Sequence, residues 1–194
     1  PDSGEILLDG VPLSQLSLPL VRQAIAVVPQ DTVLFNDTIG YNIAFGKPDA
    51  TQQDVERAAR LAHLHDFVMS LPEKYDTKVG ERGVKLSGGE KQRVSIARAA
   101  IKQPRIYVFD EATSSLDSRT ESEIMSNLRE LSRDSTTVII AHRLSTVVHA
   151  DEIIVLDGGT IVERGTHAAL LRMSGRYARL WDAQQHRSEE RRVG

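Results

Sequence analysis

Two adjacent acids, Asp110 and Glu111, follow the apolar run 106–109 (IYVF), which has the composition of a buried strand. Open α/β sheets bind their ligands outside the carboxyl ends of their strands, so these acids are expected at a ligand site. A carboxylate there can join a Mg²⁺ shell or orient an attacking water, and nucleotide hydrolysis needs both. The ordinary alternative is that the two acids only cap the turn at 112–114.

The stretch 86–93 (LSGGEKQR) predicts a helix that begins in a loop of small residues. Ser87 and Glu90 have the Ser-x-x-Glu spacing of a capping box. Gly88 and Gly89 leave the backbone bare where the N–H groups of a helix start point outward, which suits an anion such as phosphate. The alternative is a capped helix without a ligand. Together with the strand-end acids, this stretch favours nucleotide hydrolysis.

These segments resemble the motifs of the ABC-type ATPases. The stretch 86–93 is similar to the signature motif of that family, and 107–111 (YVFDE) is similar to its Walker B strand. Gln30 matches the Q-loop, 115–117 (SLD) matches the D-loop, and His142 matches the switch histidine. These motifs follow one another in the family's order, so the match is very specific.

The resemblance implies a role for each candidate residue. Asp110 and Gln30 would bind Mg²⁺, Glu111 would polarise the attacking water, and His142 would sense the γ-phosphate of ATP. The other nucleotide-binding residues that it implies are Ser87, Gly88, Gly89, Gln92 and Asp117. In the family, the signature residues close over the nucleotide of an opposing domain in a head-to-tail dimer, and the D-loop crosses the same interface. Read without the resemblance, Gln30 is a loop glutamine and His142 a core histidine.

The family's P-loop, G-x-x-x-x-G-K-[ST], does not occur in the 194 residues. Residues 1–10 are similar to the segment that follows the P-loop helix. The expectation is therefore an N-terminally truncated domain that is an ATPase in its intact parent and inactive alone.

Two further segments are similar to the corresponding segments of ABC exporters. Residues 78–83 (KVGERG) resemble the loop with which exporters touch their membrane domain, and 31–43 is most similar to Atm1-type exporters for iron–sulfur compounds and heavy-metal tolerance. The resemblance implies ATP hydrolysis that drives export of glutathione-linked or iron–sulfur-related compounds. It implies two partners, a transmembrane domain and a second ABC domain, at the cytoplasmic face of a bacterial inner membrane or the matrix face of a mitochondrial one. Two alternatives stay open: a soluble ABC ATPase of DNA repair or translation, and a non-catalytic fragment.

Composition narrows the class of protein. The net charge of −3 argues against a nucleic-acid partner, since such a surface is usually basic. The chain contains no cysteine, which excludes disulfides and thiolate metal sites.

The fold expected from the pattern and the resemblance is α/β: a P-loop NTPase-like ABC domain over 1–185, with a mixed sheet flanked by helices and without its P-loop portion. A helical subdomain is expected within 37–102, a helical pair over 166–185, and a charged, disordered tail over 186–194. Strands are predicted at 5–9, 25–29, 105–110, 136–141, 152–156 and 160–163.

Overall fold

A computed structural model describes residues 2–81, 83–112 and 118–193. Arg82 and Asp117, both within predicted functional loops, lie outside the described residues. The chain divides into two compact units, Pro1–Ile140 and Ala141–Gly194.

A parallel sheet of three strands forms the centre of the first unit. The strands are β3 (Ile25–Val28), β4 (Ile106–Asp110) and β5 (Thr136–Ile140), and β4 lies in the middle. Strands β3 (IAVV) and β5 (TTVII) are rich in β-branched residues, which fit a pleated surface. Val27, Val138 and Ile140 are about half exposed, so part of the sheet is open to solvent. The carboxyl ends of parallel strands meet at one edge, so the chain emerges from all three strands on the same side of the sheet.

Helices pack against β3 of this sheet and build the region that precedes β4. The long helix α5 (Gly88–Ala100) packs against β3 and against two earlier helices, and its apolar residues Val94 and Ile96 are fully buried. The remaining elements of the first unit are β1 (Leu7–Leu8), β2 (Val11–Pro12), α1 (Leu18–Ala24), α2 (Ile39–Ala44), α3 (Gln52–Leu61), α4 (His65–Ser70), α5 (Gly88–Ala100) and α6 (Ser118–Leu131).

The N-terminal segment differs from the single strand predicted over 5–9. The structure has two short antiparallel strands, β1 and β2, joined at Asp9 and Gly10. Both joining residues have positive φ, 51° and 79°, which gives the tight turn of a hairpin. The apolar run predicted the first strand, and the turn residues within it end that strand early.

The second unit pairs a hairpin with two helices. Strands β6 (Ile153–Asp157) and β7 (Thr160–Gly165) are antiparallel and lie close to the ranges predicted for the last two strands. They are followed by α7 (His167–Arg172) and α8 (Arg176–Val193). Helix α8 continues through the segment predicted to be a disordered tail, because Gln, Glu and Arg are good helix formers even without apolar periodicity. In the described parts of both units, no helix is long and apolar enough to cross a membrane.

Candidate active site

Asp110 and Gln30 lie at the same edge of the parallel sheet. Asp110 is the last residue of β4 and is paired with Ile140 of β5. Gln30 comes two residues after Val28, the last residue of β3, and β3 pairs directly with β4. Neighbouring strands are about 4.8 Å apart. The structure therefore brings the predicted metal ligands to adjacent strand ends, where α/β sheets bind ligands.

Glu111 leaves the sheet in an uncommon backbone conformation. Its φ is +46°, in the left-handed region that few residues other than glycine adopt. Its N–H donates a 2.9 Å hydrogen bond to the carbonyl oxygen of Ile140, which extends the pairing of β4 and β5 by one residue. Such strained conformations persist where the surrounding structure holds them, and they concentrate at functional sites. The chain thus turns sharply at the residue predicted to polarise water.

The start of α5 has the predicted capping box. The N–H of Glu90 donates to the Ser87 hydroxyl at 3.3 Å, and the Glu90 carboxylate accepts a hydrogen bond from the Ser87 N–H at 2.6 Å. Ser87 and Gly88 are exposed. The N-terminus of this helix is therefore accessible from solvent, and an anion approaching from outside would meet its first N–H groups.

Gly89 has a packing role besides its predicted one. A Cβ added at this position would lie 2.9 Å from Cγ2 of Thr120 in α6. Only glycine therefore allows α6 to approach the start of α5 so closely.

Gln92 lies on the buried side of α5, the helix that begins within the signature motif. The residue is 4% exposed. Its side-chain amide forms hydrogen bonds with the segment that follows β3. The Thr32 hydroxyl donates to Oε1 at 2.8 Å, and Nε2 donates to the carbonyl oxygen of Pro29 at 3.4 Å. Its predicted contact with nucleotide stays a prediction, since both ends of the amide already have partners within the chain.

His142 belongs to the second unit and is exposed. The turn that carries it is held by Gln184 of α8, a residue that the sequence did not single out. The Gln184 Nε2 donates to the His142 carbonyl oxygen at 2.7 Å, and the Gln184 Oε1 accepts from the Leu144 N–H at 2.9 Å. No motif signals this role, because the glutamine follows the histidine by 42 residues.

A second polar pair missed by sequence reasoning, Asn42 and Arg98, holds the segment 33–38. The Arg98 guanidinium donates to both oxygens of Asn42, at 2.9 and 3.0 Å, and to the Val33 carbonyl oxygen at 3.2 Å. Asn42 in turn donates to the Phe35 carbonyl oxygen at 3.1 Å. Burial lowers the pKa of Arg98. A fully buried asparagine in an otherwise apolar helix face was the available signal for this network.

Three aromatic side chains form an exposed cluster beside that segment. Phe35 lies 4.3 Å from Phe45 and 6.0 Å from Tyr41, measured between ring centroids. Their exposed fractions are 36%, 51% and 46% respectively. Adjacent exposed aromatic rings mark an interaction surface more often than scattered apolar residues do.

The donor set at the sheet edge fits Mg²⁺. The ion takes oxygen ligands and is usually bound by one or two carboxylates together with substrate phosphates and water. Asp110 supplies a carboxylate and Gln30 an amide oxygen. Within the described ranges, no group of three or more His, Cys, Asp or Glu residues could enclose a metal.

Comparison with known proteins points to one family. The sequence model of the family described as ABC transporter matches residues 1–114. The mitochondrial ABC transporter B family member 24 of Arabidopsis thaliana is 54% identical over 97% of this chain and 28% of that protein. An ATM1-type heavy metal exporter of Novosphingobium aromaticivorans is 53% identical over 98% of this chain and 31% of its own length.

A mitochondrial iron-sulfur clusters transporter ABCB7 of Danio rerio is 55% identical over 96% of this chain and 25% of its own length. The solved structure of a bacterial Atm1-family ABC exporter with ATP bound aligns with a TM-score of 0.87 and 53% identity, over 94% of this chain and 32% of that one. The chain thus spans about a third or less of the proteins that it matches. The order of its motifs, the strand-end acids and these matches agree: the chain belongs to the ABC transporter family and is an ATP-binding domain of that family.

Proposed function

We propose that this domain hydrolyses ATP to drive an Atm1-type exporter. The observation that carries the proposal is the position of Asp110 and Glu111 at the carboxyl end of β4, beside the end of β3 that leads to Gln30. An acid pair at this edge has the chemistry that phosphoryl transfer to water requires.

In the proposed reaction, Asp110 and Gln30 would hold Mg²⁺, and the ion would neutralise charge on the phosphates. Glu111 accepts a hydrogen bond from the attacking water and orients its oxygen towards the γ-phosphorus. The new bond joins that oxygen to phosphorus, the bond from phosphorus to the bridging oxygen breaks, and ADP leaves with the electron pair of that bond. The water gives up its proton to Glu111, from which it passes to solvent, and inorganic phosphate is the second product. His142 hydrogen-bonds the γ-phosphate, a role that rests on the match of its motif.

The proposed second ABC domain would bind at the exposed start of α5. Ser87 and Gly88 face solvent in the single chain, so they can reach a nucleotide that another domain holds. The helix N-terminus then meets the γ-phosphate, where its N–H groups stabilise negative charge. Asp117 is proposed to cross the same interface.

The proposed transmembrane domain would bind the cluster of Phe35, Tyr41 and Phe45 together with the loop 79–81. Cytoplasmic helices of a membrane domain would cover these rings and remove their apolar area from water. The segment 33–38 begins three residues after Gln30, so a contact at the cluster lies close along the chain to the proposed metal site.

The proposed substrates are glutathione-linked or iron–sulfur-related compounds, in line with the heavy metal exporter and the iron-sulfur clusters transporter named among the relatives. The domain would then work at the cytoplasmic face of a bacterial inner membrane or the matrix face of a mitochondrial one.

Inside-out vesicles that contain the intact transporter test this function. We expect ATP-dependent uptake of glutathione disulfide or of a metal–glutathione complex. Asp110→Asn should abolish both uptake and Mg²⁺-dependent hydrolysis, whereas Asp49→Asn, at an exposed acid, should leave both intact. Full ATP hydrolysis without a membrane partner, and no uptake, would favour the soluble ABC ATPase instead.

A further inference from the structure

We infer that Gln92 is a positioning residue for Gln30. The two hydrogen bonds of its side-chain amide, which we call the tie, join α5 to the segment that carries Gln30. This inference rests on the proposed function, in which Gln30 is a Mg²⁺ ligand during ATP hydrolysis. The tie joins residues 60 and 63 positions apart in the sequence.

The contacts of Gln92 bracket Gln30 on both sides. Its Nε2 donates to the carbonyl oxygen of Pro29, directly before Gln30, and its Oε1 accepts from the hydroxyl of Thr32, two residues after it. The Pro29 carbonyl can only accept, which fixes the amide orientation and leaves Oε1 for the hydroxyl. Both contacts use the side chain of a residue that is only 4% exposed.

Gln30 depends on this support because its own side chain is exposed. Among the described residues it has no hydrogen-bond partner, so the backbone on either side of it determines where its amide lies. Proline at position 29 has no N–H with which to extend the β3 pairing. The Gln92 amide is therefore the polar anchor at the point where the chain leaves the sheet.

Gln92 itself lies in a well-packed helix, close to the residues predicted to contact nucleotide. Gln92 is in the second turn of α5, and the same helix begins with the capping box of Ser87. Val94 and Ile96, next along the helix, are fully buried and fix its axis in the core. Gln92 therefore holds the backbone around Gln30 at a fixed position relative to the helix start that is the proposed nucleotide contact.

Thr32→Val and Thr32→Ser in the intact transporter test the tie. Valine has the shape of threonine without the hydroxyl donor, and it leaves Oε1 of Gln92 buried without this partner. We expect Thr32→Val to lower the kcat of ATP hydrolysis roughly tenfold with little change in the KM for ATP. Serine keeps the donor and should retain nearly full turnover. Gln92→Glu keeps the acceptor for Thr32 but loses the donor to Pro29, and should also lower kcat.

The deciding measurement repeats Thr32→Val in a Gln30→Ala background. If the tie acts through Gln30, the further loss caused by Thr32→Val should disappear there, since the positioned side chain is already gone. The same tenfold loss in both backgrounds, or full turnover of Thr32→Val alone, would overturn the inference. Wild-type turnover of Gln30→Ala alone would instead show that the proposed role of Gln30 is wrong, and the inference would fall with it.

Discussion

The side-chain oxygen of Asn36 accepts a 2.7 Å hydrogen bond from the backbone N–H of Glu81. Next to it, the N–H of Val79 donates to the carbonyl oxygen of Asp37 at 2.9 Å. A Cβ on Gly80 would lie 2.2 Å from the same Asn36 oxygen. The segment after the proposed metal site and the exporter-like loop are therefore joined into one surface.

Asn36→Ala should weaken coupling between hydrolysis and transport. Alanine removes the acceptor for Glu81, so the two segments can move separately when the membrane domain moves. We expect the number of substrate molecules transported per ATP hydrolysed to fall at least threefold, roughly the effect of one lost hydrogen bond. The measurement is parallel transport and phosphate release in vesicles.

Asn36→Asp is the matched control, because the carboxylate keeps an acceptor for the Glu81 N–H. It should retain more of the coupling than alanine does. Equal losses in the two variants would show that this hydrogen bond does not carry the coupling.

Gly89→Ala should destabilise the first unit through contact with Thr120. The added methyl would lie 2.9 Å from a rigid β-branched side chain, and overpacking of this kind costs about 1–3 kcal/mol. Thr120→Ser removes the obstructing methyl and keeps the hydroxyl, so the double variant should recover most of the stability. Urea unfolding of the three variants and the parent measures this. Failure of Thr120→Ser to rescue would mean that the glycine is needed for another reason.

Gly88→Asp should abolish hydrolysis and leave the binding of nucleotide to the single domain intact. A carboxylate at the exposed start of α5 would repel the γ-phosphate that the proposed opposing domain would present there. Turnover and ATP binding are to be measured on the intact transporter, with binding also measured under conditions that keep the two domains apart. Equal losses of binding and turnover would contradict the assignment of this helix start to the partner's nucleotide.

Tyr107 should make the stability of the chain fall at high pH. Burial raises the pKa of this phenol to about 12, whereas in the unfolded chain it ionises near 10. Between those pH values the unfolded state releases the proton first, so the free energy of unfolding decreases by about 1.4 kcal/mol per pH unit. Tyr107→Phe removes this contribution. Urea unfolding from pH 9 to 12 should give a shallower slope for the variant, and equal slopes would show that the phenol is not buried.

The sequence predicted those parts of the site that are local in the chain. The Ser87–Glu90 capping box and the acids after the apolar run each depend on residues within a few positions. The parallel order of β3, β4 and β5 then brings the predicted residues Gln30 and Asp110 to one edge without any further signal.

The contacts that hold the segment 33–38 could not be predicted in the same way. Arg98 and Asn42 are separated by 56 residues, and Asn36 and Glu81 by 45. Each pair joins distant segments by polar contacts, and nothing in the local pattern of either segment indicates its partner. The helical continuation of α8 was missed for a different reason, since a charged run without apolar periodicity can still have high helix propensity.

Glu111→Gln in the intact transporter tests the central claim most directly. Glutamine keeps the shape of the side chain but cannot polarise water as a carboxylate does. We predict that ATP still binds, that hydrolysis slows by several orders of magnitude, and that the closed dimer accumulates with ATP bound. The measurement is single-turnover hydrolysis together with the stoichiometry of retained ATP. Turnover within a few-fold of the parent would contradict the assignment of Glu111 and, with it, of the edge of β4 as the hydrolytic centre.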